Sequence, residues 1–378
     1  MGSMSDRDVR ARVLLSRLSE PVDAHLNRRI IDIGAIETAA ELVAGTSPLR
    51  NAESLRIRLD RNDPEHMVDA DLASAERVGA RVITPGTSAW PTQLDQLGER
   101  APLLLWVLGS GDLRLLALRS VAMVGARAAT SYGETVARRW SADFVTHGWT
   151  VVSGGAFGID AAAHRGALAA GGATVCILAS GVDVPYPRSH DLLLAQIAEN
   201  GLVVSESPPG SSAMRQRFLT RNRLIAAISR ATVVVEAALR SGARSTAGEA
   251  AELARPVFAV PGPVTSVSSA GCHALIRQHA AELVAGSDDV LSLLDPLGVA
   301  APIDREPARV DDGLATREAR VLDAVPLRKP ASMTALVRTA GLTPTEVVAA
   351  LGHLQSRGLV RRTSDGWVKQ ARQESVPA

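Results

Sequence analysis

The sequence predicts an α/β protein built on a parallel sheet, with a helical region before the sheet and a winged helix after it. Three observations carry this expectation. Over residues 81–294 short apolar runs alternate with helical stretches, the pattern of strands joined by crossover helices. Residues 296–313, PLGVAAPIDREPARVDDG, hold Pro, Asp and Gly without an apolar period and read as a linker. Beyond them TREARVLDAV, SMTALVRTAG and TPTEVVAALGHLQSRGLV pattern as three helices, closed by RRTSDGWVK as a small hairpin.

The elements follow in order. From Asp6 to Ala73 the chain is rich in Ala, Leu and Arg, and IDIGAIETAAELVAG fits two short helices about a turn at Gly34. Such modules either touch nucleic-acid backbone through turn amides or serve only as packing units. Residues 1–78 are taken as this helical domain and 79–295 as the sheet domain. Strands are expected at 81–84, 103–109, 120–124, 150–153, 174–179, 202–206, 232–237 and 257–261. Ligands of such a sheet bind outside the carboxyl ends of its strands, so the loops there should hold the chemistry. The winged helix occupies 314–372; ten Lys/Arg against five Asp/Glu from Thr316 to Ala378 give it a local charge of +5, enough for a phosphate-binding face. Many winged helices bind proteins instead.

Composition removes several function classes. At 378 residues the chain can form two or three domains, and its formal net charge of +1 means that any nucleic-acid contact must come from local patches. Its only lysines are Lys329 and Lys369, neither following a glycine, so the GxxxxGK[ST] phosphate loop is absent. Cys176 and Cys272 stand far apart with no CxxC, which argues against a zinc site or a disulfide framework, and no cofactor is expected. No apolar run approaches the ~20 residues that span a bilayer. A cytoplasmic location without membrane contact is the expectation.

Four or five loops at the strand ends concentrate the unusual residues. After SVAMV comes GARAATSYG, where Arg127 lies among glycines and hydroxyls, suited to a phosphate oxygen or to a surface ion pair. In SGGAFGIDAAAH, Ser153, Gly154 and Gly155 are expected to expose backbone amides near a helix N-terminus, an anion-binding arrangement. Asp160 and His164 share a face of that helix, as an acid/base pair, half a metal site or a loop-fixing hydrogen bond. In LASGVDVPYPRSHDLL the prolines stiffen a loop in which Asp183 and Tyr186 are expected to be buried. The stretch RQRFLTRNRLIAAISR reads as a fourth loop. From Arg215 to Arg244 there are seven arginines and one acidic residue, Glu236, an anion-binding concentration in a nearly neutral chain. Phe218 precedes Arg221, Asn222 and Arg223 there, and aromatics are only 3% of the chain. A flat ring among cations is what single-stranded nucleic acid needs, the alternative being a core contact under the loop. Asn222 either reads a base edge or caps the next helix. In ALRSGARSTAGEA, Ser241, Gly242, Ser245 and Thr246 open a helix as another anion nest. A dinucleotide site would need an acidic ribose anchor at the next strand end, but that strand ends in Ser153 and Gly154.

The motifs VGARAATSYG, SGGAFGIDAAAH, SGVDVPYP, SESPPG, FLTRNRLIAAIS, VVVEAALRSGARSTA and VFAVPGP, in this order over about residues 80–290, resemble the DNA processing protein A (DprA, or Smf) family. The resemblance implies an extended Rossmann-like domain, an N-terminal helical domain like a sterile alpha motif, and a C-terminal winged helix. It implies a non-enzymatic role: binding single-stranded DNA as a homodimer, protecting it, and helping to load RecA recombinase, also on strands displaced from the single-strand binding protein during natural transformation. Its DNA-binding positions correspond to Arg127, Phe218, Arg221 and Arg223, with Gly154, Gly155 and Asn222 in the same motifs. Ser153, Ser241 and Gly242 complete the candidate set. The family's dimer and recombinase contacts correspond roughly to Gly271–Leu283, giving Leu275, Ile276 and His279 as candidates. The chain departs from the family at Leu219, where proline follows the Phe, and at His190, His273 and His279, the last in place of a glycine.

Two readings compete. A nucleotide-processing enzyme of the lysine-decarboxylase-like phosphoribohydrolase type would use Glu249 as its acid, but the PGGxGTxxE hallmark is absent and the arginine cluster goes unexplained. A metal-dependent nuclease would draw ligands from Asp160, Asp183, Glu206 and Glu236. No paired-carboxylate motif supports it.

Overall fold

Runs such as SVAMV and TVCIL carry apolar residues at successive positions, so strands made of them must be covered on both faces. The computed structural model, which describes residues 6–59, 63–294 and 314–370, meets that demand with a sheet sandwiched between helices. The chain divides into two units at residues 301 and 302. The linker expected over 296–313 lies outside the described residues, which end at 294 and resume at 314.

The first unit begins with five helices, α1 (Asp6–Leu18), α2 (Ala24–Ile33), α3 (Ala35–Ala44), α4 (Ala52–Leu59) and α5 (Pro64–Arg77). The sheet strands are β1 (Ala80–Ile83), β2 (Leu105–Leu108), β3 (Ser120–Val124), β4 (Thr150–Gly154), β5 (Thr174–Leu178), β6 (Leu202–Ser205), β7 (Ala231–Val234), β8 (Val257–Ala259) and β9 (Glu282–Leu283). Between and after them lie α6 (Leu113–Leu118), α7 (Ser131–Thr146), α8 (Ile159–Ala169), α9 (Asp191–Asn200), α10 (Arg215–Ile228), α11 (Gly242–Glu252), α12 (Ala270–Arg277) and α13 (Ser287–Leu294). All eight expected strands are present. The two-residue β9 is additional, too short to leave a sequence pattern.

The strand order is β1-β2-β6-β5-β4-β3-β7-β8-β9. Every pair from β6 to β9 is parallel, whereas β2 runs antiparallel to both β6 and β1. The expected parallel sheet is present from β6 to β9, and this edge adds two antiparallel pairings to it. Apolar runs report burial, not direction, and direction is set by the connection: residues 84–104 return the chain through a 3-10 segment, Thr92–Arg100, without a crossover α-helix.

Side chains alternate across the sheet. Ala122, Val124, Val152, Ile177, Val204 and Val234 pack under α10 and α11 in one core. Val121, Met123, Val151, Val233 and Val235 face α7, α8 and α13 in another. A third core joins Cys176, Leu178 and Val203 with α9 and the N-terminal helices, so those helices close the sheet rather than hang from it. Arg17, half-buried against Asp71 and the Pro209 carbonyl, reinforces this seam, as does the Asn27 amide, which donates to the carbonyls of Glu99 and Ala101 at 2.7 and 2.8 Å.

Chain order decides where a ligand can enter. The path β3-β4-β5-β6 winds one way, and α10 then carries the chain back to place β7 on the far side of β3. Loops leaving β3 and β7 therefore part in opposite directions, opening a crevice at their carboxyl ends.

The second unit holds α14 (Thr316–Ala324), α15 (Met333–Ala340), α16 (Pro344–Ser356), β10 (Val360–Thr363) and β11 (Gly366–Lys369), the order expected of a winged helix. Its core gathers Val321, Leu336, Val347, Leu351, Leu354 and Val360. Thr343 and Glu346 form a capping box at the start of α16.

Candidate nucleic-acid interface

The crevice between β3 and β7 is a cleft of about 830 Å³. The end of β3 and its loop (residues 124–128), Ala156 and Asp160 after β4, Tyr186 after β5, one side of α10 with Phe218, Arg221 and Ile225, and Arg240, Ser241 and Thr246 around the start of α11 line it. Four arginines face it, Arg127, Arg215, Arg221 and Arg240, against one carboxylate, Asp160. That imbalance favours an anionic ligand.

RQRFLTRNRLIAAISR is a helix, not the loop expected. No Gly or Pro interrupts Arg215–Ile228, and from Arg221 onward α10 is buried on all sides. Its first turns carry Phe218 to the cleft. The Arg127 guanidinium lies 4.8 Å from the centroid of the Phe218 ring, and Tyr186 meets that ring at 5.3 Å with a 57° tilt. The cation–π contact holds Arg127 by its face and leaves its N–H edge for an acceptor. Tyr186 is 45% exposed, which corrects the expectation that it is buried. Asp183 is not buried either; it is partly exposed, and its carboxylate accepts from the Gly210 amide.

Arg221 is only 7% exposed and still lines the cleft. Its Nη1 donates to the Ile177 carbonyl, and its Nε has no hydrogen-bond partner. A Cβ at position 154 would stand 2.1 Å from Arg221 Nη1 and 2.6 Å from Asp160 Oδ2, so glycine is required there to seat the guanidinium. Burial pushes the Asp160 carboxyl up from its usual value, the Arg221 charge and the Ala156 amide opposing it, and pulls the Arg221 guanidinium down. Asn222 donates to the Gly242 carbonyl at 3.3 Å, tying α10 to the start of α11. There Ser241 accepts from the Ala243 amide, leaving the N-terminal end of α11 at the cleft.

Four candidates fall elsewhere. Ser153, Gly154 and Gly155 are buried and do not line the cleft. Ser153 and Gly154 pair with Cys176 and Ile177 in the sheet, the Ser153 hydroxyl donates to the Met123 carbonyl, and a Cβ on Gly155 would meet Leu178 at 2.8 Å. These small residues admit neighbouring protein atoms. Arg223 is fully buried, giving both Nη atoms to Glu206 at 2.7 and 3.0 Å and further bonds to the carbonyls of Arg100 and Thr220. Of the seven clustered arginines, Arg217 pairs with Glu20 and Arg244 bonds the Leu239 carbonyl, so Arg215, Arg221 and Arg240 are the ones that reach the cleft. Arg215 and Arg240, like Tyr186, were legible only as members of the cluster or of the proline loop.

The loops are pinned from within. Glu236, buried after β7, accepts from the Thr130 amide at 2.9 Å and hydroxyl at 2.6 Å, locking the β3 loop to its neighbour. Gly158, at φ +75°, lies so close to the Ala126 and Arg127 carbonyls that a Cβ would stand 2.3 and 2.5 Å from them. His164 turns away from Asp160: its Nε2–H donates to the Gly154 carbonyl at 3.0 Å, and the Thr174 hydroxyl stands 2.7 Å from Nδ1. Burial lowers its pKa to about 4.

The four carboxylates of the nuclease reading are spent separately, on Ala156, Gly210, Arg223 and Thr130. Among the described residues no three His, Cys, Asp or Glu side chains converge as metal ligands. Glu249 pairs with Arg100 and does not line the cleft. Among the dimer candidates, Leu275 is buried in its own core, Ile276 packs partly against it, and His279 is exposed at φ +55°, a backbone region that suits the glycine it replaces. No described helix is long and apolar enough to cross a membrane.

Comparison with known proteins agrees with this geometry. A Mycobacterium tuberculosis relative that carries the DprA name is 43% identical over 376 residues, spanning 96% of this chain and 95% of the relative. The Streptococcus pneumoniae DNA processing protein DprA is 40% identical over 207 residues, 54% of this chain and 70% of its own. A crystal structure of that pneumococcal protein superposes with a TM-score of 0.65 at 31% identity, covering 77% of this chain and 98% of the other. DNA processing protein A from Helicobacter pylori, described for its single-stranded DNA binding mode, gives a TM-score of 0.51 at 27% identity over 57% and 95% of the two chains. Residues 81–295 match the family described as DNA recombination-mediator protein A, and with relatives aligned over nearly its whole length this chain belongs to that family.

Proposed function

We propose that this protein is a single-stranded DNA-binding recombination mediator: it binds DNA strands in the switch-point cleft, protects them, and helps to load the RecA recombinase, during natural transformation or general DNA processing. The observation that carries the reading is the Arg127–Phe218–Tyr186 stack at a cleft faced by four arginines and one carboxylate. Cations for phosphates beside aromatic rings for bases are the two parts a single strand requires. The Helicobacter relative described for its single-stranded DNA binding mode supports it. Homodimerisation and exchange with the single-strand binding protein belong to the same proposal; exposed Leu283 and His279 at the open β9 edge are the surface we assign to the dimer.

The test is fluorescence anisotropy of a labelled poly-dT strand, titrated at several salt concentrations beside a duplex of equal length. Four arginines on phosphates predict a slope of log affinity against log salt of about −3, at about 0.7 per phosphate of a single strand. Preference for the single strand with that slope supports the reading; no binding at low salt overturns it.

A further inference from the structure

The rim of the cleft continues past the stack. Moving across the sheet from the β3/β7 crevice, the next strands are β4 and then β5, and their carboxyl-end loops hold two more rings, Phe157 and His190. Phe157 is 51% exposed in a chain whose aromatics are 3% of residues. It is not loose. Its ring stands edge-on to His190, centroids 4.8 Å apart at 70°, and His190 is itself buried with Nδ1 3.1 Å from the Gly155 carbonyl. On one side of Phe157 in the chain Ala156 lines the cleft; on the other Gly158 abuts the Arg127 carbonyl. Tyr186, which touches Phe218, shares its loop with His190, and its carbonyl would lie 3.3 Å from a Cβ on Gly155.

A ring set edge-on against a buried one has little rotamer freedom left to lose when a ligand arrives, and Phe157 belongs to none of the hydrophobic cores. Its apolar face is left bare beside an anion-seeking cleft. We propose that Phe157, positioned by His190, is a base-stacking platform that extends the strand path from the cleft over the ends of β4 and β5. This inference rests on the single-stranded DNA reading, and its partner is a nucleobase of the strand that leaves the cleft.

The experiment compares dT oligonucleotides of about 5 and about 20 nucleotides, the short one filling the cleft alone. Phe157→Leu keeps apolar bulk and removes the π-face; it should weaken the long strand about five- to 150-fold, leave the short strand and the salt slope unchanged, and Phe157→Trp should restore affinity. Phe157 is exposed, so an unaltered melting temperature should accompany both variants. Wild-type affinity of Phe157→Leu for the long strand would overturn the inference while leaving the cleft reading intact. Equal weakening of both lengths would also overturn it, by placing Phe157 inside the cleft contact. Failure of wild type to bind either strand would refute the cleft reading itself.

Discussion

Arg223 sits in the same helix as Arg221, two residues on, and its sequence context marks both alike as phosphate ligands. Their fates in the fold differ, which makes Arg223→Ala a sharp test. The guanidinium is fully buried and bonds four acceptors: two oxygens of Glu206 and the carbonyls of Arg100 and Thr220. The Glu206 side chain is 12% exposed, so truncating Arg223 strands a nearly buried carboxylate together with two carbonyls. Breaking such a pair costs about 3–5 kcal/mol. At about 2–4 °C per kcal/mol for a domain of this size, the melting temperature should fall by roughly 6–20 °C. Affinity for a dT strand, measured well below that temperature, should equal that of the wild type. Replacing both partners, Arg223→Met with Glu206→Met, should recover most of the loss, because two apolar side chains need no compensating charge. An unchanged melting temperature together with weakened DNA binding would refute the assignment and return Arg223 to the interface.

The other predictions concern the stack, a buried imidazole, a strained turn and the C-terminal unit. Arg127→Ala should weaken all sequences alike and flatten the salt slope by about 0.7, whereas Phe218→Ala should cost about 1–3 kcal/mol with a smaller change of slope; undiminished affinity in both would remove the stack from the site. His164 has a folded pKa of about 4, against about 6.5 unfolded, so the unfolded chain takes up its proton first as pH falls. Its contribution is complete above pH ~6.5 and is lost towards pH ~4, about 3 kcal/mol in all, and melts of His164→Gln should show a shallower acid slope than wild type; identical slopes would contradict this. His279→Gly should raise the melting temperature by about 2 °C by relieving the positive φ, and a decrease would show that the imidazole is held by something it gains in assembly. Deleting residues 314–378 should leave single-strand affinity intact, since the cleft is built wholly from the first unit; collapse of affinity would move the main contact to the C-terminal unit.

Much of this fold was legible because the inner strands β3 to β8 are short, mostly apolar runs buried throughout, and such runs have few other places to go. What stayed illegible was whatever depends on the partner rather than on the residue. SGG at the end of β4 reads as an anion nest, yet the same small residues admit Arg221 and Leu178, and nothing in the letters distinguishes a phosphate from a guanidinium as the visitor. Arginines mask the period of α10, so its first turns read as a polar loop; the missing Gly and Pro over 14 residues were the signal for a helix. The exposure of Tyr186 and the burial of Arg223 both follow from which face of a neighbouring element comes near. Direction at the β1–β2 edge depends on the route of a connection, which side-chain pattern does not encode.

Glu236 has a consequence for energetics beyond holding Thr130. Because a buried carboxylate fastens the β3 loop and Gly158 wedges the β4 loop against it, the receiving surface is already ordered when a strand arrives. On the proposed function, the conformational entropy lost on association then falls on the DNA, whose backbone must stop rotating, and little on the protein. Affinity should therefore follow the flexibility of the incoming strand, and a strand already stiffened by base stacking of its own must unstack before it can be held.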